Sequence, residues 1–301
     1  MKEVIFTGIA TALYTPITNG EIDYEEFERL IEFQLRSGVA ALVFLGTTGE
    51  AATISDEERK SIIGFAVKRV KGRVPVIIGC GSNSTKRAAE LTLQAKNLGA
   101  DCSLGVTPYY NKCSQDGLVA HYSEIEKQAA FPQIVYNVPS RTGVDVSPET
   151  YGRLSELKSV VGIKEANPNP EKLVETFSAL NDNIPVYSGA DEANRTFYSL
   201  GAKGAISVLS NIIPSIISDD YYNFKFFSEK NSKADNPVIS ELSKLVFSEV
   251  NPIPLKGLIK KIRKRGYELR LPLTEQNEKT QEYVYSEFNR ILKEYNLKAE
   301  V

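Results

Sequence analysis

Histidine is almost absent from this chain: His121 is the only one in 301 residues. That excludes a histidine-based triad and a multi-histidine metal site, so proton transfer falls to tyrosine, lysine, carboxylates or water. Cys80, Cys102 and Cys113 are odd in number and lack CxxC spacing, which argues against a disulfide framework or a zinc site and leaves buried or free thiols. No apolar run approaches the ~18 residues of a membrane span. The segment Met1-Lys2-Glu3-Val4-Ile5-Phe6 reaches a turn at Thr15-Pro16 before any signal-peptide core develops, so a cytosolic protein is expected. A formal net charge of -2 offers no general attraction to nucleic acid or to an anionic membrane.

What is present is the composition of a globular protein, 42% hydrophobic and 25% charged. Short apolar runs alternate with amphipathic stretches of helical length, and no Ser/Gly linker or low-complexity tract divides them. Strands are predicted at Ile9-Leu13, Ala41-Leu45, Val74-Ile78, Cys102-Val106, Ile134-Tyr136, Val160-Lys164, Val186-Ser188 and Ala205-Val208. Asp23 and Ser55 look like helix N-caps, with Glu26 and Glu58 three residues on, while Ser147-Pro148 and Asn169-Pro170 place proline in a first turn. Gly38, Gly99 and Gly201 sit where helices should stop. Eight strand-helix units predict an α/β protein, a closed (β/α)8 TIM barrel rather than an open doubly wound sheet. The barrel is expected over residues 1–213, and residues 214–301 read as a wholly helical appendage broken at Pro237, Pro252, Pro254 and Pro272.

The most informative segment is Val160-Val161-Gly162-Ile163-Lys164-Glu165, which puts a lysine near the end of a buried strand. A partly dehydrated lysine has a depressed pKa and can hold the neutral amine that attacks a ketone to form a Schiff base. Alternation places Val160, Gly162 and Lys164 on one face, leaving no side chain just below the amine. A strand-end lysine can equally carry its ammonium out to water.

In a barrel the active site lies at the C-terminal ends of the strands, so the residues after each strand form one constellation. Gly46-Thr47-Thr48-Gly49 offers amides and hydroxyls suited to a carboxylate or a proton relay, or is simply a tight turn. Tyr136 and Lys164 fall on adjacent strands, where a phenol could shuttle protons to the amine's substrate or merely fill the barrel top. Arg141, just past Tyr136, has the fork that binds a carboxylate, although a solvated loop arginine is the common alternative. Tyr109-Tyr110 follow the fourth strand and could also be packing aromatics.

Gly46-Thr47-Thr48-Gly49-Glu50, Thr107-Pro108-Tyr109-Tyr110-Asn111, Tyr136-Asn137-Val138-Pro139-Ser140-Arg141-Thr142-Gly143 and Gly162-Ile163-Lys164-Glu165-Ala166 closely resemble the dihydrodipicolinate synthase family. These are pyruvate-dependent class I aldolases, also called 4-hydroxy-tetrahydrodipicolinate synthases, of the N-acetylneuraminate lyase superfamily. The resemblance runs from Gly8 to Asn251-Pro252-Ile253-Pro254 and Leu271-Pro272, with the motifs in the family's order and spacing. It implies a cytoplasmic, cofactor-free, metal-free lyase of lysine and diaminopimelate biosynthesis that joins pyruvate to aspartate semialdehyde. On that resemblance Lys164 forms the imine, Tyr136 is the general acid/base, Thr47 links its proton relay, and Tyr110 is inserted by a neighbouring subunit of a homodimer or homotetramer. Thr48 holds the pyruvate carboxylate, Arg141 positions the semialdehyde carboxylate, and Gly189 and Ile206 line the pocket.

Feedback-inhibited members of the family bind free lysine near the counterparts of Ala52, Asp56, Arg59, Asn83, Arg87 and Tyr109. Here Arg87 stands where a glutamate would receive the ligand's ammonium, and Asp56 and Arg59 stand where histidines are common. A cation facing a cation is repulsive by roughly a few kcal/mol at ~4 Å and intermediate dielectric. Weak or absent inhibition by lysine is therefore expected.

Four rival readings stand beside this one, the first a purely structural barrel without catalysis, against which the intact set of reactive residues argues. A sibling pyruvate aldolase, such as N-acetylneuraminate lyase or a 2-keto-3-deoxy sugar acid aldolase, shares the lysine, the tyrosine and the Gly-rich turn. Gly79-x-Gly81-x-x-Ser84 with Asp101 about 20 residues on is an incomplete dinucleotide fingerprint. Lys256-Gly257-Leu258-Ile259-Lys260-Lys261-Ile262-Arg263-Lys264-Arg265 could be a nucleic-acid patch, but Leu255, Leu258, Ile259 and Ile262 recur at the spacing of an amphipathic helix with a solvated basic face.

Overall fold

Each predicted strand run becomes a parallel strand of one closed barrel in the computed structural model of the chain, which describes residues 2–226, 236–298 and Glu300. The barrel strands are β1 (Gly8–Ala12), β4 (Ala41–Phe44), β5 (Val76–Gly79), β6 (Cys102–Val106), β7 (Gln133–Asn137), β8 (Val160–Glu165), β9 (Val186–Ser188) and β10 (Gly204–Ser207). They pair in sequence order, and β1 closes the ring by pairing with both β4 and β10. A small antiparallel pair, β2 (Ile17–Thr18) and β3 (Glu21–Ile22), lies outside the ring. Its two-residue strands are too short for alternation to reveal them in the sequence.

Helices α1 (Tyr24–Arg36), α2 (Asp56–Val70), α3 (Thr85–Asn97), α4 (Gln115–Ala129), α5 (Pro139–Thr142), α6 (Pro148–Glu156), α7 (Pro170–Leu180) and α8 (Asn194–Ser199) join the barrel strands. Their starts follow from the caps read in the sequence. Ser55 forms a full capping box with Glu58, and the side chains of Asp23, Ser147 and Asn169 each accept a first-turn amide. Helices α1, α3 and α8 end just before Gly38, Gly99 and Gly201.

Two apolar layers result. Alanines, Val43, Ile77, Cys102, Leu104, Ile134 and Tyr187 fill the barrel interior, while Phe27, Leu30, Ile62, Ile63, Val135, Leu154 and Ile163 pack between strands and helices. Each fully buried side chain of this size contributes about 1.5–3 kcal/mol. The facing of β8 departs from simple alternation. A register shift against β7 between Gln133 and Ile134 inserts Val161 as an extra residue, so Val160 packs with the helices while Val161 joins the interior. Val160 therefore does not share a face with Lys164. Gly162 does point inward, where a Cβ would meet Tyr187 and Ile134 at 3.1 and 3.2 Å.

The incomplete dinucleotide fingerprint is explained by the same packing. A Cβ on Gly79 would lie 2.0 Å from the Leu45 carbonyl oxygen, and one on Gly81 would lie 2.4 Å from Val106. These glycines let β5 and the segment just after it approach their neighbours. Asp101 Oδ2 accepts from the Val76 amide rather than facing a ligand.

Beyond the barrel lie α9 (Pro214–Phe226), α10 (Pro237–Val246), α11 (Ile253–Arg263) and α12 (Glu278–Glu294). The segment is not wholly helical: residues 264–277 run back over the barrel as a loop, and residues 227–235 lie outside the described residues. In that loop Arg270 pairs with Glu58 on α2, and Arg265 with Asp23 at the start of α1. Among the described residues no helix is long and apolar enough to cross a membrane.

Candidate active site

Strands β7 and β8 place Tyr136 and Lys164 directly opposite each other in the sheet register. Lys164 is 5% exposed and its Nζ stands 4.3 Å from the centroid of the Tyr136 ring. Burial pushes the amine down to about 8, opposed by the negative charge of Asp191 and assisted by the positive charge of Arg141. Burial also raises the Tyr136 phenol above its ordinary value, against the pull of the Arg141 charge and of a hydrogen bond from Thr47. The pair thus presents an amine readily freed of its proton beside a phenol that keeps its own.

The Gly46–Glu50 turn approaches the pair from the end of β4. Thr48 is buried, and its Oγ1 accepts from Asn251 Nδ2 at 3.0 Å. Gly189 lies on the other side, where a Cβ would meet Lys164 Cε, the Glu165 carbonyl and Ala166 Cβ, each at 3.0 Å. Ile206 on β10 is buried in the interior layer. Arg141 lies on α5 at the mouth, donating from NH2 to the Asn251 carbonyl at 3.0 Å. The structure therefore gathers Lys164, Tyr136, Thr47, Thr48, Arg141 and Gly189 at the C-terminal end of the barrel. It does not bring Tyr110 to them, for that side chain is 90% exposed and its backbone adopts a positive φ of 71°.

Behind β7 and β8 runs a network that motif reading missed. Asn137 and Glu165, each one residue beyond Tyr136 and Lys164, point outward and are joined by bonds of 3.0 Å from Asn137 Nδ2 to both carboxylate oxygens. Tyr151 Oη donates to Glu165 Oε2 at 2.6 Å, and Lys172 lies 3.6 Å from the same oxygen. Asp191 was missed too. Its Oδ2 accepts the Val208 and Leu209 amides at 2.9 Å, tying the end of β10 to the loop after β9. Glu165 had its adjacency to Lys164 as a signal, and Asp191 its place just after Gly189. Lys256, read as part of a solvated basic face, is instead fully buried and paired with Glu50.

The six residues expected at an effector site are arranged differently from one another. Arg87 pairs with Asp56, and Arg59 is buried, its NH2 donating to the Gly79 carbonyl at 2.7 Å. Ala52 and Tyr109 are exposed, and the Asn83 carbonyl accepts from Asn111. His121 lies on α4, buried and hydrogen-bonded to Thr85, with burial pushing its pKa down to about 4. The thiols of Cys80, Cys102 and Cys113 are free, and among the described residues no cluster of three or more His, Cys, Asp or Glu could hold a metal ion.

A dehydrated lysine beside a protonated phenol, at the C-terminal end of a (β/α)8 barrel, defines a class of lyase that works through an amine nucleophile. Within that class, the chain belongs to the dihydrodipicolinate synthetase family, whose sequence pattern matches residues 5–294. A 4-hydroxy-tetrahydrodipicolinate synthase of Alkaliphilus oremlandii is 42% identical over 286 residues, covering 95% of this chain and 99% of its own. The crystal structure of dihydrodipicolinate synthase from Thermotoga maritima superposes with a TM-score of 0.91 at 41% identity, covering 98% of this chain and 100% of that one. A chloride-inhibited dihydrodipicolinate synthase from Acinetobacter baumannii, solved in complex with pyruvate, gives 0.91 at 40% identity over 98% of this chain and 100% of that one.

Proposed function

We propose that the chain condenses pyruvate with aspartate semialdehyde through a Schiff base on Lys164, giving 4-hydroxy-tetrahydrodipicolinate. The observation that carries this is the Lys164 amine, lowered to about 8 by burial and seated against Tyr136. The neutral amine attacks the ketone carbon of pyruvate and water leaves, forming the imine. Its protonated nitrogen acidifies the methyl group, which loses a proton to give the enamine, and the enamine carbon attacks the aldehyde of the semialdehyde. The α-amine of the adduct then attacks the imine carbon, closing the ring and freeing the lysine, so that one water is lost overall.

Tyr136 donates and recovers protons in these steps, its phenol connected to Thr47. Thr48 holds the pyruvate carboxylate, and Arg141 at the mouth takes the carboxylate of the semialdehyde through its forked donors. Gly189 and Ile206 line the pocket. Tyr110, exposed and held at positive φ, enters the relay from a second copy of the chain, so the working form is a homodimer or a larger homo-oligomer. Residues 1–213 carry the catalytic barrel, and the C-terminal region braces its mouth through Asn251 and Lys256.

The test is pyruvate consumption with aspartate semialdehyde, and separately with N-acetylmannosamine, for the wild type and Lys164→Ala. Turnover with the semialdehyde that disappears in the variant supports the assignment. Turnover with the sugar alone would move the chain to the sibling aldolases.

A further inference from the structure

Asn251 hydrogen-bonds to both groups read as carboxylate binders, and it comes from outside the barrel. It lies in the loop between α10 and α11, is buried, donates from Nδ2 to Thr48 Oγ1 at 3.0 Å, and accepts Arg141 NH2 on its main-chain oxygen at 3.0 Å. The same C-terminal region grips the Gly46–Glu50 turn a second time. Lys256 pairs with Glu50 and donates to the Glu268 carbonyl at 2.7 Å, while the Arg270 amide donates to Glu50 Oε2 at 3.2 Å. The turn that carries Thr48 is thus fixed in space by Glu50, and Asn251 is left to act on the Thr48 side chain itself.

A hydroxyl has a single proton to donate and two lone pairs that accept. When Asn251 Nδ2 donates to Thr48 Oγ1, one lone pair is taken and the Thr48 proton is directed to another acceptor. We propose that Asn251 is a positioning residue for pyruvate: its amide orients the Thr48 hydroxyl so that its proton is aimed at the substrate carboxylate. This inference rests on the reading of Thr48 as the holder of that carboxylate. The contact to Arg141 is made by the main chain and survives replacement of the side chain, so the effect is confined to the first substrate.

The test is a double-mutant cycle of Asn251→Ala and Thr48→Val, reading kcat/KM for each substrate and, separately, the pyruvate concentration that gives half-maximal borohydride trapping. Loss of one neutral hydrogen bond corresponds to about a five- to tenfold fall in kcat/KM for pyruvate. That fall is expected in the wild-type background, with less than about a twofold effect when Thr48 is already valine. kcat/KM for the semialdehyde is expected to stay within about twofold. Asn251→Asp keeps the shape but offers an acceptor, which draws the Thr48 proton away from the substrate, so it is expected to bind pyruvate less well than Asn251→Ala. Equal losses for both substrates, independent effects in the double variant, or an Asp variant better than Ala would each overturn the proposal. The trapping readout needs no second substrate, so a wild type that traps pyruvate but fails to turn over the semialdehyde would sink the functional reading and leave the role of Asn251 still measured.

Discussion

Tyr136 and Lys164 face each other across neighbouring strands, and the Lys164 Nζ lies 4.3 Å from the centre of the phenol ring. Because the register of β7 and β8 sets this relationship, the phenol and the amine are held by backbone hydrogen bonds rather than by loops. With its amine lowered to about 8, Lys164 holds roughly two orders of magnitude more free amine near neutral pH than a lysine at the ordinary 10.5.

The pH profile follows. A lowered lysine pKa means that the nucleophilic form gains as pH rises through about 8, so kcat/KM for pyruvate should climb between about pH 6.5 and 8.5 and then level off. A profile still rising steeply at pH 10 would place the titrating group elsewhere. Tyr136→Phe should lower kcat by about 10²–10⁴-fold while leaving the fold intact by circular dichroism.

Asp191 stabilises the charged form of Lys164, so removing its charge should lower the lysine further. Asp191→Asn keeps an oxygen for the Val208 and Leu209 amides and should move the rising limb of the profile to more acid pH. A limb that moves to higher pH would contradict this electrostatic reading.

The buried Lys256–Glu50 pair ties the C-terminal region to the turn carrying Thr47 and Thr48. Removing one partner leaves a buried charge uncompensated, so Lys256→Met should cost about 3–5 kcal/mol in denaturant unfolding. Replacing both residues with apolar ones of similar volume should recover much of that loss. Stability unchanged in the single variant would show that Glu50 finds another partner.

Free lysine should leave the rate unchanged at sub-millimolar concentration. By the family resemblance Arg87 stands at the position that would receive the ligand's ammonium; it pairs with Asp56, and Arg59 is turned inward to the Gly79 carbonyl. Steady-state rates with and without lysine check this directly, and a clear drop would contradict it.

The barrel was legible because each strand is a short apolar run between capped helices, and Lys164 because a lysine ending such a run is chemically conspicuous. The inward facing of Val161 was not, since a bulge depends on how β8 pairs with β7. Asn251 belonged to a motif of the resemblance, but its contact could not be read locally, as its partner Thr48 is 203 residues away. Lys256 misled for a related reason: its helix is amphipathic and basic, and only the fold brings Glu50 to it.

The central claim is tested most directly by borohydride reduction in the presence of pyruvate, followed by peptide mapping. The account predicts one covalent pyruvate adduct, on Lys164, that is absent in Lys164→Ala. No adduct, or an adduct on another lysine, would contradict it.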